Sequence, residues 1–397
     1  GALRNRDTVV RWSAAKGVGR VTGCLPQDLA DEIVEQVLQL FRPTESDTAW
    51  HGGCLALAEL ARRGLLLPAR LPVVTPIVKA ALAYDVRRGP HSVGAHVRDA
   101  AAYVCWAVAR AYEPHILADH VMVLATSLLT IACYDREVNC RRAAAAAFQE
   151  AVGRLGNFPH GMDIIGVADY FAVGNVHSAY LKVAPFVNTF PEYRMALAGH
   201  LLDTKLQHWE KALRELAARG IAALVPESSQ LLRSDGVERL IERSTDAVLE
   251  VRHGALMGLS ALLPALRDNG QALSDAHRLG VAGLVPAIDK ARLYRGKGGE
   301  MMRQAVSALV CAMAAVRLPL SRPQHAKVLE ALDENLRHPQ LYIQHAAVDA
   351  LASYARAYCC PACGDDGCVE RRAAFVTKQL PGFLGRLHDP NVAVRRG

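Results

Sequence analysis

One apolar register, met nine times along 397 residues, constrains this chain more than any other feature. Its cleanest copy runs from Cys140 to Leu155. There Cys140, Ala143, Ala144, Ala147, Phe148, Ala151, Val152 and Leu155 fall three or four residues apart, the spacing of one stripe on an α-helix. Arg141, Arg142, Gln149, Glu150 and Arg154 take the other faces. The i,i+4 pairs Glu137/Arg141 and Glu150/Arg154 add only a few tenths of a kcal/mol each, so burial of the stripe must hold the helix. The same anchor recurs at Val10, Trp50, Val97, Cys140, Leu213, Val251, Met302, Ile343 and Val394. Residues three and four beyond each complete anchor are small or medium in size, which lets a neighbouring helix approach closely. The residue after the anchor is usually Arg (Arg11, Arg98, Arg141, Arg214, Arg252, Arg303, Arg395), with His51 and Gln344 as variants.

Anchor spacings are 40, 47, 43, 73, 38, 51, 41 and 51 residues. A period in the forties with two helices per period is the signature of an α-solenoid of HEAT/armadillo-like repeats. The first helix of a pair is also legible, as in Asp28–Phe41, Leu71–Tyr84, Leu117–Ala132 and His325–Leu336. Gly, Pro or Asp punctuates the turns, and Asp7 and Asp47 stand where a carboxylate caps a helix. The expectation is an all-α chain with no strands beyond chance. Residues 1–397 would form one continuous, elongated solenoid piece of about eight full repeats, cut within repeats at both ends.

The 73-residue interval breaks the period, leaving roughly 30 residues beyond one repeat. It predicts an irregular insertion over residues 154–192. This segment holds Phe158, Tyr170, Phe171, Tyr180, Phe186 and Phe190 in a chain only 6% aromatic. Two readings stand: an ordered contact element, or an extra helix packed on its neighbours. On the first, Pro159 and Gly161 set a turn that presents Phe158 beside His160, and Asp169–Tyr170–Phe171 offers a carboxylate beside two rings. Trp106, on the polar side of its helix, is either a contact or a packed lid. Arg11, Arg98, Arg214, Arg252 and Arg303 read as ties between repeats, whereas the doubled Arg141–Arg142 leaves one side chain free for a partner.

Composition narrows the function class. The net charge of +7 has no dominant cluster, compatible with an acidic protein partner and too weak to argue nucleic acid. The longest uncharged apolar run, Val121–Cys133, is too short to span a bilayer, and the chain reads as soluble. Cys24, Cys54, Cys105, Cys133, Cys140 and Cys311 sit in helical patterns, as reduced cytosolic thiols do. RGKGGE at Arg295–Glu300 lacks the spacing and preceding strand of a phosphate loop. GVGRVTG at Gly17–Gly23 lies within a register helix, where Gly17 takes a packing position. No HExxH or GxSxG pattern occurs, so no catalytic, cofactor-binding or metal residue is expected, and the chain reads as a non-enzyme. Cys359, Cys360, Cys363 and Cys368 contain half a zinc pattern, better read as an incidental loop.

Longer strings carry a more specific resemblance. AWHGGCLALAELARRGLLLP (Ala49–Pro68), VRDAAAYVCWAVARAYEP (Val97–Pro114), NCRRAAAAAFQEAVGRLGNFPHGMDI with ADYFAVGN (Asn139–Asn175), HWEKALRELAARG (His208–Gly220) and LYRGKGGEMMRQAV (Leu293–Val306) resemble the tubulin-folding cofactor D family. The resemblance covers about Arg6–Val310 and fades beyond. It implies the middle of a longer cytoplasmic chaperone of the microtubule cytoskeleton. Such a protein binds β-tubulin and works with cofactors E and C and a small Arf-like GTPase on the αβ-tubulin dimer. A general HEAT adaptor and, further off, a HEAT nucleic-acid binder are the alternatives.

Overall fold

The computed structural model describes residues 1–359, 368–386 and 388–396. Two compact units divide the chain, Gly1–Leu197 and Ala198–Gly397. In the first, the register helices are α1 (Thr8–Thr22), α3 (Asp47–Arg62), α5 (Ala95–Ala111) and α7 (Val138–Leu155). They pack in sequence order, each on the next, as one layer. The preceding helices α2 (Gln27–Leu38), α4 (Leu71–Leu82) and α6 (Val121–Tyr134) supply the second layer. In the second unit α8 (Lys211–Ala223), α11 (Leu249–Asp268), α13 (Gly299–Ala315) and α15 (Leu341–Tyr358) form the register layer. They are backed by α9 (Val225–Leu231), α10 (Val237–Arg243), α12 (Asp275–Lys290) and α14 (Arg322–Leu336). The class is all-α, built of α-solenoid helix pairs.

Small residues account for the close layer. Ala100, Ala101, Ala144, Ala147, Ala217, Ala255, Ala305 and Ala347 are all buried. A Cβ on Gly53 would come within 2.6 Å of the Phe41 ring, and one on Gly254 would overlap the Leu206 carbonyl. Gly17 has open space around it instead; the packed glycine of α1 is Gly19, against Arg63 and Glu59. The buried stripe of α1 is Arg11, Ala15, Gly19 and Thr22, so the helix is rotated away from the Val10 and Gly17 register, and Val10 is exposed.

Five of the register arginines share one geometry, while Arg98 reaches the Tyr84 carbonyl and Arg303 reaches Glu334 and Asn335. Nη1 donates to the carbonyls five and six residues upstream in Arg11 (2.8 and 2.6 Å), Arg141 (2.9 and 2.9 Å), Arg214 (3.0 and 2.7 Å), Arg252 (2.7 and 3.2 Å) and Arg395 (3.0 and 2.6 Å). Each guanidinium thus clamps the turn leading into its own helix, satisfying carbonyls that the turn leaves unpaired. Where Nε is engaged it reaches onward: Arg11 to His51 Nδ1 (2.7 Å), Arg98 to Asp135 (2.6 Å), Arg214 to His253 Nδ1 (3.1 Å).

Local differences from the sequence expectation have local causes. A two-stranded hairpin, β1 (Val86–Arg88) and β2 (His91–Val93), stands between α4 and α5. Gly89 at φ +63°, followed by Pro90, supplies the tight two-residue turn. Asp7 caps α1 through Val9 N (2.8 Å), but Ser46 caps α3, and Asp47 instead meets His96 Nε2 at 3.2 Å. Cys24 lies past the end of α1 and is exposed, while Cys54, Cys105, Cys133 and Cys140 are buried free thiols. Cys360 and Cys363 lie outside the described residues. The stretch Pro114–Tyr134 is long and apolar enough to cross a membrane by length and composition. It is interrupted by a 3-10 turn at Ala118–His120, and buries Leu124, Leu128, Leu129 and Ala132 in the first unit's core.

Candidate protein-contact surface

Helix α7 ends at Gly156, left-handed at φ +66°, as a helix C-terminus prefers. The expected insertion then divides in two. Residues 156–175 are irregular, apart from single turns at Gly161–Ile165 and Ala172–Gly174. Residues 176–187 form a helical run with a π turn at Ala179–Val183, packed on α6. Tyr180 is fully buried there and donates to the Tyr134 carbonyl (2.9 Å). Pro185 disguises this helix in the sequence, and the widened turn just before it accommodates the missing N–H.

Residues 156–175 are pinned at both ends. Phe158 is buried edge-on against Phe148, with ring centroids 5.5 Å apart. A Cβ on Gly161 would press on Val152 at 2.5 Å. Tyr193 donates to the Pro159 carbonyl (2.7 Å). His160 takes a left-handed φ of +53°, stacks on Phe190 at 4.2 Å and lies 3.5 Å from Glu192. At the other end Arg141 Nε donates to Val173 O (2.6 Å) and Nη2 to Gly174 O (2.8 Å). Asn175 accepts from His177 N and Ser178 N, starting the next helix.

Between these anchors two rings stand in solvent: Tyr170, 55% exposed, and Phe171, 81% exposed. They meet edge to face, with centroids 5.6 Å apart. The Arg142 guanidinium lies 4.0 Å from the Tyr170 ring centroid, and its Nε donates to the Tyr170 carbonyl (3.3 Å). Asp169 Oδ1 accepts from Phe171 N (2.9 Å) and Ala172 N (2.6 Å), so this carboxylate shapes the turn that raises the rings. The result is a preorganised knob with a cation beside two exposed aromatics, a composition suited to a protein interface.

The sequence candidates therefore separate. Arg142, Tyr170 and Phe171 come together at the surface, with Asp169 as their support. Arg141 is buried and spends its donors on backbone carbonyls, and Phe158 is core; both depart from the expectation of presented side chains. His160 is half exposed, but one ring face is taken by Phe190. Trp106 lies apart, stacked between Tyr103 (5.7 Å) and Arg110 (4.7 Å). Sequence reasoning passed over Met162, 72% exposed on the same irregular segment; its place two residues after His160 was the available signal.

Residues 1–162 match the family model described as tubulin-specific chaperone D-like, ARM repeats. Over 330 residues the chain is 37% identical to tubulin-specific chaperone D of Dictyostelium discoideum, covering 81% of this chain and 22% of that one. The chain resembles the tubulin-specific chaperone D family. Tubulin-folding cofactor D of Schizosaccharomyces pombe is 32% identical over 232 residues, 55% of this chain and 21% of the relative. The chain thus spans about a fifth of the length of these chaperone D relatives. Among solved structures, importin beta (14% identity, TM-score 0.35, 99% of this chain and 42% of that one) and Kap121p bound to RanGTP (14%, 0.37, 90% and 44%) are also similar. At such scores neither bears on the assignment of the fold, which rests on the helix pairing itself.

Proposed function

We propose that this chain is part of a tubulin-folding chaperone, a scaffold without catalytic machinery that holds β-tubulin while the αβ-tubulin heterodimer is assembled or taken apart. Cofactors E and C and a small Arf-like GTPase are its proposed co-workers, and the cytoplasm and microtubule cytoskeleton its place of work. The observation that carries the reading is the 37% identity sustained over 330 residues to a protein named for that role. The knob of Arg142, Tyr170 and Phe171 is the proposed contact in the first unit, since exposed rings fixed by an ordered turn lose little entropy on binding.

Capture of purified tubulin by the immobilised chain tests the function, and absence of capture overturns it. Replacing Tyr170 and Phe171 together by Ala is expected to weaken capture by roughly tenfold or more, the scale of an interface hot spot, with the melting temperature unchanged. Phe158→Ala is expected to do the reverse. It opens a core cavity costing about 3–5 kcal/mol, seen as a lowered melting temperature. Equal tubulin capture by the double variant removes the knob from the contact surface and leaves the chaperone reading standing.

A further inference from the structure

In the second unit the turns between paired helices are short at residues 244–248 and 337–340, but the turn between α12 and α13 fills residues 291–298. With Lys290 at the end of α12 it reads KARLYRGKG, four cations and no acid. Lys290, Arg292, Arg295 and Lys297 are all exposed. Among the described residues, none of these four side chains has a hydrogen-bonded or ion-paired partner. Several arginines elsewhere in the unit are engaged: Arg267 with Asp268 and Ala315 O, Arg278 with Leu273 O, Arg303 with Glu334 and Asn335, Arg337 with Asp333. The nearby acids are also engaged, Asp289 by Lys327 (2.9 Å) and Glu300 by the Tyr342 hydroxyl (3.0 Å).

The loop backbone packs closely against the unit. Arg292 takes φ +56° as the helix ends, with Leu293 N donating to Ile288 O (3.1 Å). Gly296 and Gly298 are also left-handed, at φ +75° and +87°. Side chains on Gly298 and Gly299 would overlap Leu249 and the Tyr294 carbonyl, so the backbone lies tight against the unit. Tyr294 points inward, its hydroxyl buried and its ring 5.1 Å from the Arg303 guanidinium. The negative end of α12 accounts for Lys290 and Arg292. It does not account for Arg295 and Lys297, which crowd like charges together with no internal gain.

We propose that residues 290–298 are a docking point for an acidic, Asp/Glu-rich segment of a partner protein. Nucleic acid fits less well, because no exposed ring in the loop offers a stacking platform. A membrane surface fits less well, because the loop exposes no large apolar side chain to insert. Charge complementarity on such a loop acts on encounter and orientation, and weakens with salt. The RGKGGE string has no nucleotide-loop context here, since a helix and not a strand precedes it.

A fluorescein-labelled oligoglutamate peptide, followed by anisotropy against the whole chain, is the probe. Wild type is expected to bind it in a salt-dependent manner, and the Lys290→Glu, Arg295→Glu, Lys297→Glu variant to lose about tenfold or more in affinity. The pair Arg295→Lys and Lys297→Arg is expected to keep binding, and circular dichroism to stay unchanged throughout. If charge reversal disturbs folding, the neutral pair Arg295→Gln and Lys297→Gln is read instead, with a smaller loss in the same direction. No binding by wild type, equal binding by the folded variants, or tighter retention of an oligothymidylate or a phosphatidylserine vesicle overturns the proposal.

Discussion

Arg141 and Arg142 are adjacent in sequence and opposite in role. Arg141 is 3% exposed and donates to four backbone carbonyls, so its removal leaves buried acceptors unpaired. Arg141→Ala is expected to cost about 3 kcal/mol in urea unfolding. Arg142→Ala, which loses one cation–π contact and one exposed hydrogen bond, both to Tyr170, is expected to cost about 1 kcal/mol. The buried histidines behave as residue-scale switches of stability. Burial, and then the neighbouring guanidiniums Arg11 and Arg214, lower the pKa of His51 and of His253 from 6.5 to about 3. Each neutral ring accepts a hydrogen bond from its arginine. The folded values lie below the unfolded one, so their contribution is present above pH 6.5 and is lost as pH falls from there towards 3. Each histidine contributes a slope of about 1.4 kcal/mol per pH unit within that window. Asn at both positions keeps an acceptor without titrating, and thermal melts of that double variant are expected to fall less steeply from pH 6.5 downward.

Helices in this chain tolerate glycine for two different reasons, and alanine distinguishes them. Gly153 lies inside α7 with open space where a Cβ would stand, so Gly153→Ala is expected to stabilise by about 0.5–1 kcal/mol through helix propensity. Gly53 faces the Phe41 ring and Gly254 the Leu206 carbonyl. Alanine there forces helices apart, and a cost of about 1–3 kcal/mol in chemical denaturation is expected for Gly53→Ala. The periodicity of α7 and α13 made both helices legible, because stripe and caps are local. The run 176–187 stood only as one of two readings, because Pro185 argues locally against a helix that contact with α6 upholds. The hairpin at Val86–Val93 was missed for a similar reason. Its strands are three residues each, too short for alternation to show.

At the scale of the whole molecule, the net charge of +7 is modest for 397 residues, and register arginines such as Arg11 and Arg214 are buried against backbone carbonyls. The chain is accordingly expected not to retard a random-sequence oligonucleotide at physiological salt. Retardation with a steep salt dependence would instead favour the nucleic-acid reading. By itself the sequence determined the helical class, the order of paired helices, the register arginines and the resemblance to chaperone D. All of these follow from spacing or from long strings of residues. Only the tertiary structure decided that Phe158 is core while Phe171 stands in solvent, and that Arg141 is structural while Arg142 faces outward. Within each pair the local sequence is nearly equivalent. Burial is set by what distant residues such as Phe148, Val173 and Gly174 bring against a side chain, and no window along the chain contains both partners.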